Sequence, residues 1–457
     1  MVETSHAKAA AAASNDAAAM CAAEAAVALE KRRISAEELA RATLARIARI
    51  DPEVKAFSFV DPAAILRRAR EVDKMPRRGR LHGLTVAVKD VIDTCDMPTQ
   101  HNSPIYVGHR PSKDAAVAAC CRALGAVFVG KTDTVEFAAG GRLALTRNPH
   151  DIRHTPGGTS SGSAAAVASG MAALALGTQT GGSTLRPASF CGIFGFKPTH
   201  GVVSQEGAKL YSVSLDTIGW YGRSVADLSL LAEELRITRR PLSPRRDVRH
   251  MRIGLCRTPW FSKAQPEAQL ALEDAVARLA RAGAEIEEVK LPDDFDRLVE
   301  VQRTIMLGEG RAAFLSEYLA NMHLLHQEFK DRIDKAIDED SLREAQDFAA
   351  AARPAFERAS TGLDCVISVG AVGEAPRSLD TTGDALFQRA WTILHVPCVA
   401  LPASRGPNDM PVGVQLIASR YKDADLLEVA AAVADAIGIS KVSPVEPNVI
   451  HSPAAPR

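Results

Sequence analysis

Short β-branched runs alternate with amphipathic helical stretches along most of this chain, and that alternation limits the fold more than any other feature. LTVAVKDVI from Leu84, GAVFVG from Gly125, RIGLC from Arg252 and DCVISV from Asp364 read as strands. Between them, DAAVAACCRALGA from Asp114 and EDAVARLARAGAE from Glu273 repeat their apolar residues at helical spacing. Such alternation requires a layered α/β fold, because each helix must bury its apolar stripe against a sheet. Two helices come first. One spans about Asp16 to Glu30, free of Pro and Gly, and the next is announced by SAEE, with Ser35 and Glu38 spaced as a capping box.

With 457 residues the chain is long enough for a large core. We expect residues 1–30 to form an Ala-rich helix or leader, residues 31–445 a single domain, and residues 446–457 a tail. Arg239 to Asp247 (RRPLSPRRD) reads as a surface loop, and Leu298 to Arg358 as charged amphipathic helix. Acidic and basic residues balance at 55 each, so composition carries no cationic excess for nucleic acid or an anionic membrane. No run is apolar enough to span a bilayer, and the eight scattered cysteines, without CxxC, read as buried thiols of a cytoplasmic protein. His150 and His154 have the spacing of a helical metal pair but lie among prolines, and read as loop residues.

Chemistry concentrates in GGTSSGSAAAVASG (Gly157 to Gly170) and GTQTGGS (Gly177 to Ser183). Eight Ser or Thr hydroxyls fall between Thr159 and Ser183. GGTSSGS has the GxxxxG spacing of a phosphate loop, but Ser163 stands where that loop carries its lysine. GTSSG also fits a GxSxG elbow with Ser160 as nucleophile, yet NPHDIRHTPG before it is not the strand an elbow needs. A third reading joins Lys89, at the end of an apolar run, with Thr159 and Ser183. A hydroxyl would be activated by a neutral amine through a second hydroxyl, and burial would lower the lysine pKa from its free value of about 10.4.

These segments together resemble the amidase signature family: LHGLTVAVKD at Leu81, GKTDTVEFA at Gly130, NPHDIRHTPGGTSSGSAAAVASG at Asn148, LALGTQTGGSTLRPASFCGIFGFKPTHG at Leu174 and PVGVQLIA at Pro411. The likeness spans roughly Ser35 to Ile437 and is weakest between residues 239 and 358. It implies a large mixed central β-sheet covered by helices in an α/β/α arrangement. By motif it places the nucleophile at Ser183, the base at Lys89 and the bridging hydroxyl, preceded by a cis peptide bond, at Thr159, with Ser160 in reserve. Backbone N–H groups of Thr180, Gly181, Gly182 and Ser183 would hold the oxyanion, in a loop whose glycines allow close approach and positive φ.

Departures from the family pattern are specific. The bridging residue is Thr, not Ser. Gln179 and Leu185 replace an Asp and an Arg, with Arg186 one place further on, and we expect Gln179 to be a neutral hydrogen-bonding support. Thr85 replaces a proline, with no catalytic consequence expected. The resemblance implies cofactor-free and metal-free hydrolysis of small amides or carbamates, urethanase and aryl amidase activity included, by a monomer or homodimer that meets neither nucleic acid nor membrane. A glutamine-hydrolysing amidotransferase A-type subunit is the alternative, with Arg377 and Asp380 as candidate grips on the amino acid. A binding protein with an impaired site is the third reading. Pocket walls are expected partly from Leu298 to Arg358.

Overall fold

The computed structural model describes residues 17–238, 240–243, 247–335 and 337–447. The first sixteen residues of the expected leader, most of the expected tail, and residues 239, 244–246 and 336 lie outside this range.

Eleven strands form one sheet: β1 (Phe57–Phe59), β2 (Thr85–Lys89), β3 (Val127–Thr132), β4 (Leu174–Gln179), β5 (Phe194–Lys197), β6 (Thr217–Gly222), β7 (Arg252–Leu255), β8 (Glu285–Glu288), β9 (Cys365–Val369), β10 (Cys398–Arg405) and β11 (Pro411–Ile417). Their spatial order is β1-β3-β2-β4-β6-β5-β10-β11-β9-β7-β8. β3, β2 and β4 run parallel, as do β9, β7 and β8, and every pairing between these two groups is antiparallel. This is the expected layered α/β fold with a large mixed sheet. The four strands read from the sequence are β2, β3, β7 and β9, all in the parallel groups, where burial on both faces demands continuous apolar runs.

The capping box at Ser35 forms as expected: the Ser35 hydroxyl accepts from Glu38 N, and the Glu38 carboxylate accepts from Ser35 N at 2.7 Å. The first helix runs Ala22–Glu30, with a further helical turn just before it. Between Leu298 and Ala359 lie four helices, Leu298–Ala313, Leu315–Asn321, Gln327–Asp334 and Glu339–Ala359. Six cysteines are buried, but Cys95 and Cys120 are exposed, so the reading of all eight as buried is corrected. Both sit on surface segments that the spacing of cysteines could not reveal. No described helix is long and apolar enough to cross a membrane.

Topology sets the site. Because β2 and β4 are parallel neighbours, Lys89 at the last position of β2 and the loop leaving β4 after Gln179 emerge at the same edge of the sheet. Open α/β sheets bind ligands at such carboxyl ends. The helix Ser161–Ala168 is buried on every side beneath this edge. Gly162 lets it in, since a Cβ there would stand 2.1 Å from Ala56 O and 2.6 Å from Asp133 N, both backbone atoms that cannot yield.

Candidate active site

Lys89 is fully buried at the end of β2. Its amine lies 2.9 Å from Thr159 Oγ1 and 2.7 Å from Thr178 Oγ1. Burial drives its pKa well below the ordinary lysine value, and the buried Asp216 carboxylate opposes that shift. Asp216 accepts from Thr180 Oγ1 and from the backbone N–H of Tyr211 and Ser212, while its own burial raises it to about 6. The lysine therefore has hydroxyl neighbours and, among the described residues, no ion pair, the surroundings of a neutral amine.

The peptide bond Gly158–Thr159 is cis, as the resemblance implied. Arg186 holds the carbonyl of that bond: its Nη2 donates to Gly158 O at 2.6 Å and to Thr382 Oγ1 at 3.1 Å, and its Nη1 to Gly383 O at 2.9 Å. The structure brings Lys89 to Thr159 and not to Ser160. The Ser160 hydroxyl is engaged with the β4 backbone instead, donating to Thr178 O at 3.2 Å and accepting from Thr178 N at 3.3 Å. Ser161 and Ser163 serve the helix and sheet, through Gly157 O and Leu176 O.

Ser183 lies against this segment. Its carbonyl accepts from Ser160 N at 3.3 Å and from the Tyr221 hydroxyl at 3.1 Å. The residue is 7% exposed, and its side chain makes no hydrogen bond to a described residue. The N–H groups of Thr180, Gly181, Gly182 and Ser183 likewise donate to no described residue, so four consecutive donors are unspent beside one hydroxyl. The expectation of positive φ here is corrected: neither Gly181 nor Gly182 adopts it. Close approach is the reason for glycine at 182, where a Cβ would meet Gln388 Oε1 at 2.9 Å and Ala385 Cβ at 3.0 Å; at 181 the nearest atoms are 3.8 Å away.

Gln179 ties the loop together. Its Oε1 accepts from Thr184 N and Leu185 N, each at 3.0 Å, and its Nε2 donates to Thr392 Oγ1 at 3.0 Å. Thr392 Oγ1 in turn lies 2.7 Å from Gly181 O. A neutral amide fits because this position must both accept and donate, which an ionised carboxylate cannot.

Sequence reasoning missed Thr178, Asp216, Gln302 and Arg389. Thr178 was legible in principle, since it directly precedes Gln179 on β4; the others come from distant segments. Gln302, on the helix Leu298–Ala313, donates to Thr180 O at 2.9 Å, so that segment reaches the loop that ends in Ser183. Arg377 and Asp380 are exposed, and no hydrogen bond or ion pair joins either to Lys89, Thr159 or Ser183. His150 and His154 remain loop residues bound to the carbonyls of Cys191 and Ala375. Among the described residues, only Cys95, Asp96 and Asp114 cluster within metal-ligand reach of one another, and Arg122 already engages both carboxylates.

A mixed α/β sheet with this lysine, these hydroxyls and this glycine loop at one edge defines the amidase signature class, whose enzymes cleave carbon–nitrogen bonds. The chain belongs to that family: the Amidase model matches residues 38–427. It is 31% identical to the A-type subunit of glutamyl-tRNA(Gln) amidotransferase from Carboxydothermus hydrogenoformans, over 88% of this chain and 94% of that protein. Its fold is similar to a chain of a vestigial protein complex tied to the evolutionary origins of an s-triazine catabolic enzyme, with TM-score 0.83, 27% identity and coverage of 92% and 99%. It is also similar to the peptide amidase of Stenotrophomonas maltophilia, with TM-score 0.79, 27% identity and coverage of 94% and 99%.

These relatives correct one expectation. A monomer or homodimer meeting only a small amide or carbamate, and no nucleic acid, does not fit a chain whose curated relatives are subunits of an amidotransferase named for glutamyl-tRNA(Gln).

Proposed function

We propose that this protein is an ammonia-releasing amidase that forms an acyl-enzyme at Ser183, and that it serves as the glutamine-hydrolysing subunit of an amidotransferase-type assembly. The chemistry rests on one observation: a fully buried lysine with hydroxyl neighbours and, among the described residues, no ion pair, set beside a serine whose loop offers four N–H donors that no described residue engages. The subunit role is supported by the names of the curated relatives.

In this reading Ser183 Oγ attacks the amide carbonyl as its proton passes to Thr159 Oγ1, and the Thr159 proton passes to neutral Lys89 Nζ. The N–H groups of residues 180–183 receive the oxyanion, and loss of one such donor typically raises the barrier by about 2.7 to 4 kcal/mol. Collapse breaks the C–N bond, the relayed proton leaves with ammonia, and water attacks the ester along the same path. Gln179 and Arg186 position the loop and the Gly158 carbonyl.

Two measurements test this. Covalent labelling by a sulfonyl fluoride, read by mass spectrometry, is expected at Ser183 and lost in Lys89→Ala. Ammonia release from glutamine is expected from the wild type and absent from Ser183→Ala. Labelling elsewhere would remove the acyl-enzyme, whereas cleavage of anilides or carbamates with none of glutamine would remove the subunit role.

A further inference from the structure

Beside the oxyanion loop stands a cation with no role in the proton relay. Arg389, on the helix Leu386–Ile393, is partly buried, and a Cβ at Gly181 would lie 3.8 Å from its Nη1 and 3.9 Å from its Cγ. Its guanidinium donates to Gln302 Oε1 at 2.7 Å, and Gln302 Nε2 donates to Thr180 O at 2.9 Å. One glutamine thus fixes the guanidinium relative to the loop that ends in Ser183.

Among the described residues no carboxylate comes within ion-pair distance of Arg389. Burial lowers its pKa, and the charges that act on it include Asp384 and Glu300 at longer range and the like charge of Arg303. Arg186, three residues after Ser183, adds a second cation, this one buried, whose hydrogen-bond partners are two carbonyls and a hydroxyl. A guanidinium withdrawn from water without a carboxylate is costly unless something else supplies the anion. Its planar fork suits a carboxylate in two-point contact.

We propose that Arg389, oriented by Gln302, binds a carboxylate on the acyl portion of the substrate, so that the protein selects ω-amides of short carboxylic acids over neutral amides. Glutamine belongs to this class, and the inference rests on the acyl-enzyme reading of Ser183. Glutaramate and pentanamide offer a matched pair, with the same amide and chain length and with and without the carboxylate.

The test is calorimetric, in the full-length Ser183→Ala protein, where binding is read without turnover. Glutaramate is expected to bind about 10- to 100-fold more tightly than pentanamide, the range of a charge-assisted hydrogen-bond pair. Arg389→Met, combined with Ser183→Ala, is expected to erase that ratio by weakening glutaramate alone, and Arg389→Lys to retain part of it. Equal binding of the two ligands to the Ser183→Ala protein, or an unchanged ratio in folded Arg389→Met, would overturn the proposal. Sulfonyl fluoride labelling of Ser183 in the wild type separates the two readings: labelling there, with no carboxylate preference in the Ser183→Ala protein, removes the subsite and leaves the acyl-enzyme standing, whereas no labelling of the wild type removes the acyl-enzyme itself.

Discussion

At the scale of single residues, the protonation state of Lys89 decides the chemistry. Only the neutral amine accepts a proton, and burial lowers its pKa. kcat/KM for amide hydrolysis should therefore rise with pH through the lowered lysine value and then level off. Asp216 raises the lysine pKa by its charge, so Asp216→Asn should move that rising limb to lower pH. A limb that stays in place would show that Lys89 does not set it. Thr159 and Ser160 give a second contrast. Thr159 meets Lys89 and Ser160 meets the β4 backbone, so Thr159→Val should lower kcat/KM by about 10²- to 10⁴-fold, the usual worth of a positioned proton carrier. Thr159→Ser should keep most activity, and Ser160→Ala should change it far less than Thr159→Val. The reverse order would return the relay to Ser160.

At the scale of elements, the loop after β4 is held from behind by Gln179 and flanked by Gln388. Gln179→Ala leaves two buried N–H groups, Thr184 and Leu185, without their acceptor. Urea unfolding should show a loss of about 3 kcal/mol, since each unsatisfied buried donor costs about 1 to 3 kcal/mol. Gln179→Asp is too short to span the same partners and would bury a charge, so it should be destabilised as well; unchanged stability and rate would remove the support role. Gly182→Ala should cost activity, because its Cβ meets a buried amide oxygen and Ala385, whereas Gly181→Ala has room. The same loop shows what a sequence reveals about a site. Ser183, Lys89 and Thr159 were legible because each sits in a dense local motif, and the parallel strands because they are β-branched and apolar throughout. β4 was not, since Leu-Ala-Leu-Gly-Thr-Gln lacks that signature and is held as a strand by its neighbours. Gln302 reaches the loop from 122 residues away in sequence and Arg389 from further still, where nothing local marks them.

At the scale of the whole molecule, one core runs from Ala17 to Ile437, so the N-terminal segment is part of the packing. Ala17, Ala18, Ala22, Ala25, Ala26, Ala28 and Leu29 are buried. Arg223, fully buried, donates from Nη2 to the carbonyls of Ala18, Ala19 and Met20, and Asp227 accepts from Ala23 N at 2.8 Å. A chain beginning at Lys31 would lose these acceptors and expose apolar surface on the helix Val225–Glu234. At about 0.8 kcal/mol for each buried methyl group, partly offset by the entropy of ordering the segment, the loss should be on the order of 5 kcal/mol. Urea or thermal unfolding of that shortened chain against the full one reads it directly. Val225–Glu234 follows β6, whose Tyr221 hydroxyl donates to Ser183 O, so the shortened chain should also lose kcat before it loses the fold. An unfolding midpoint equal to that of the full chain would mean that these contacts add nothing to stability, and that the core proper begins at the helix capped by Ser35.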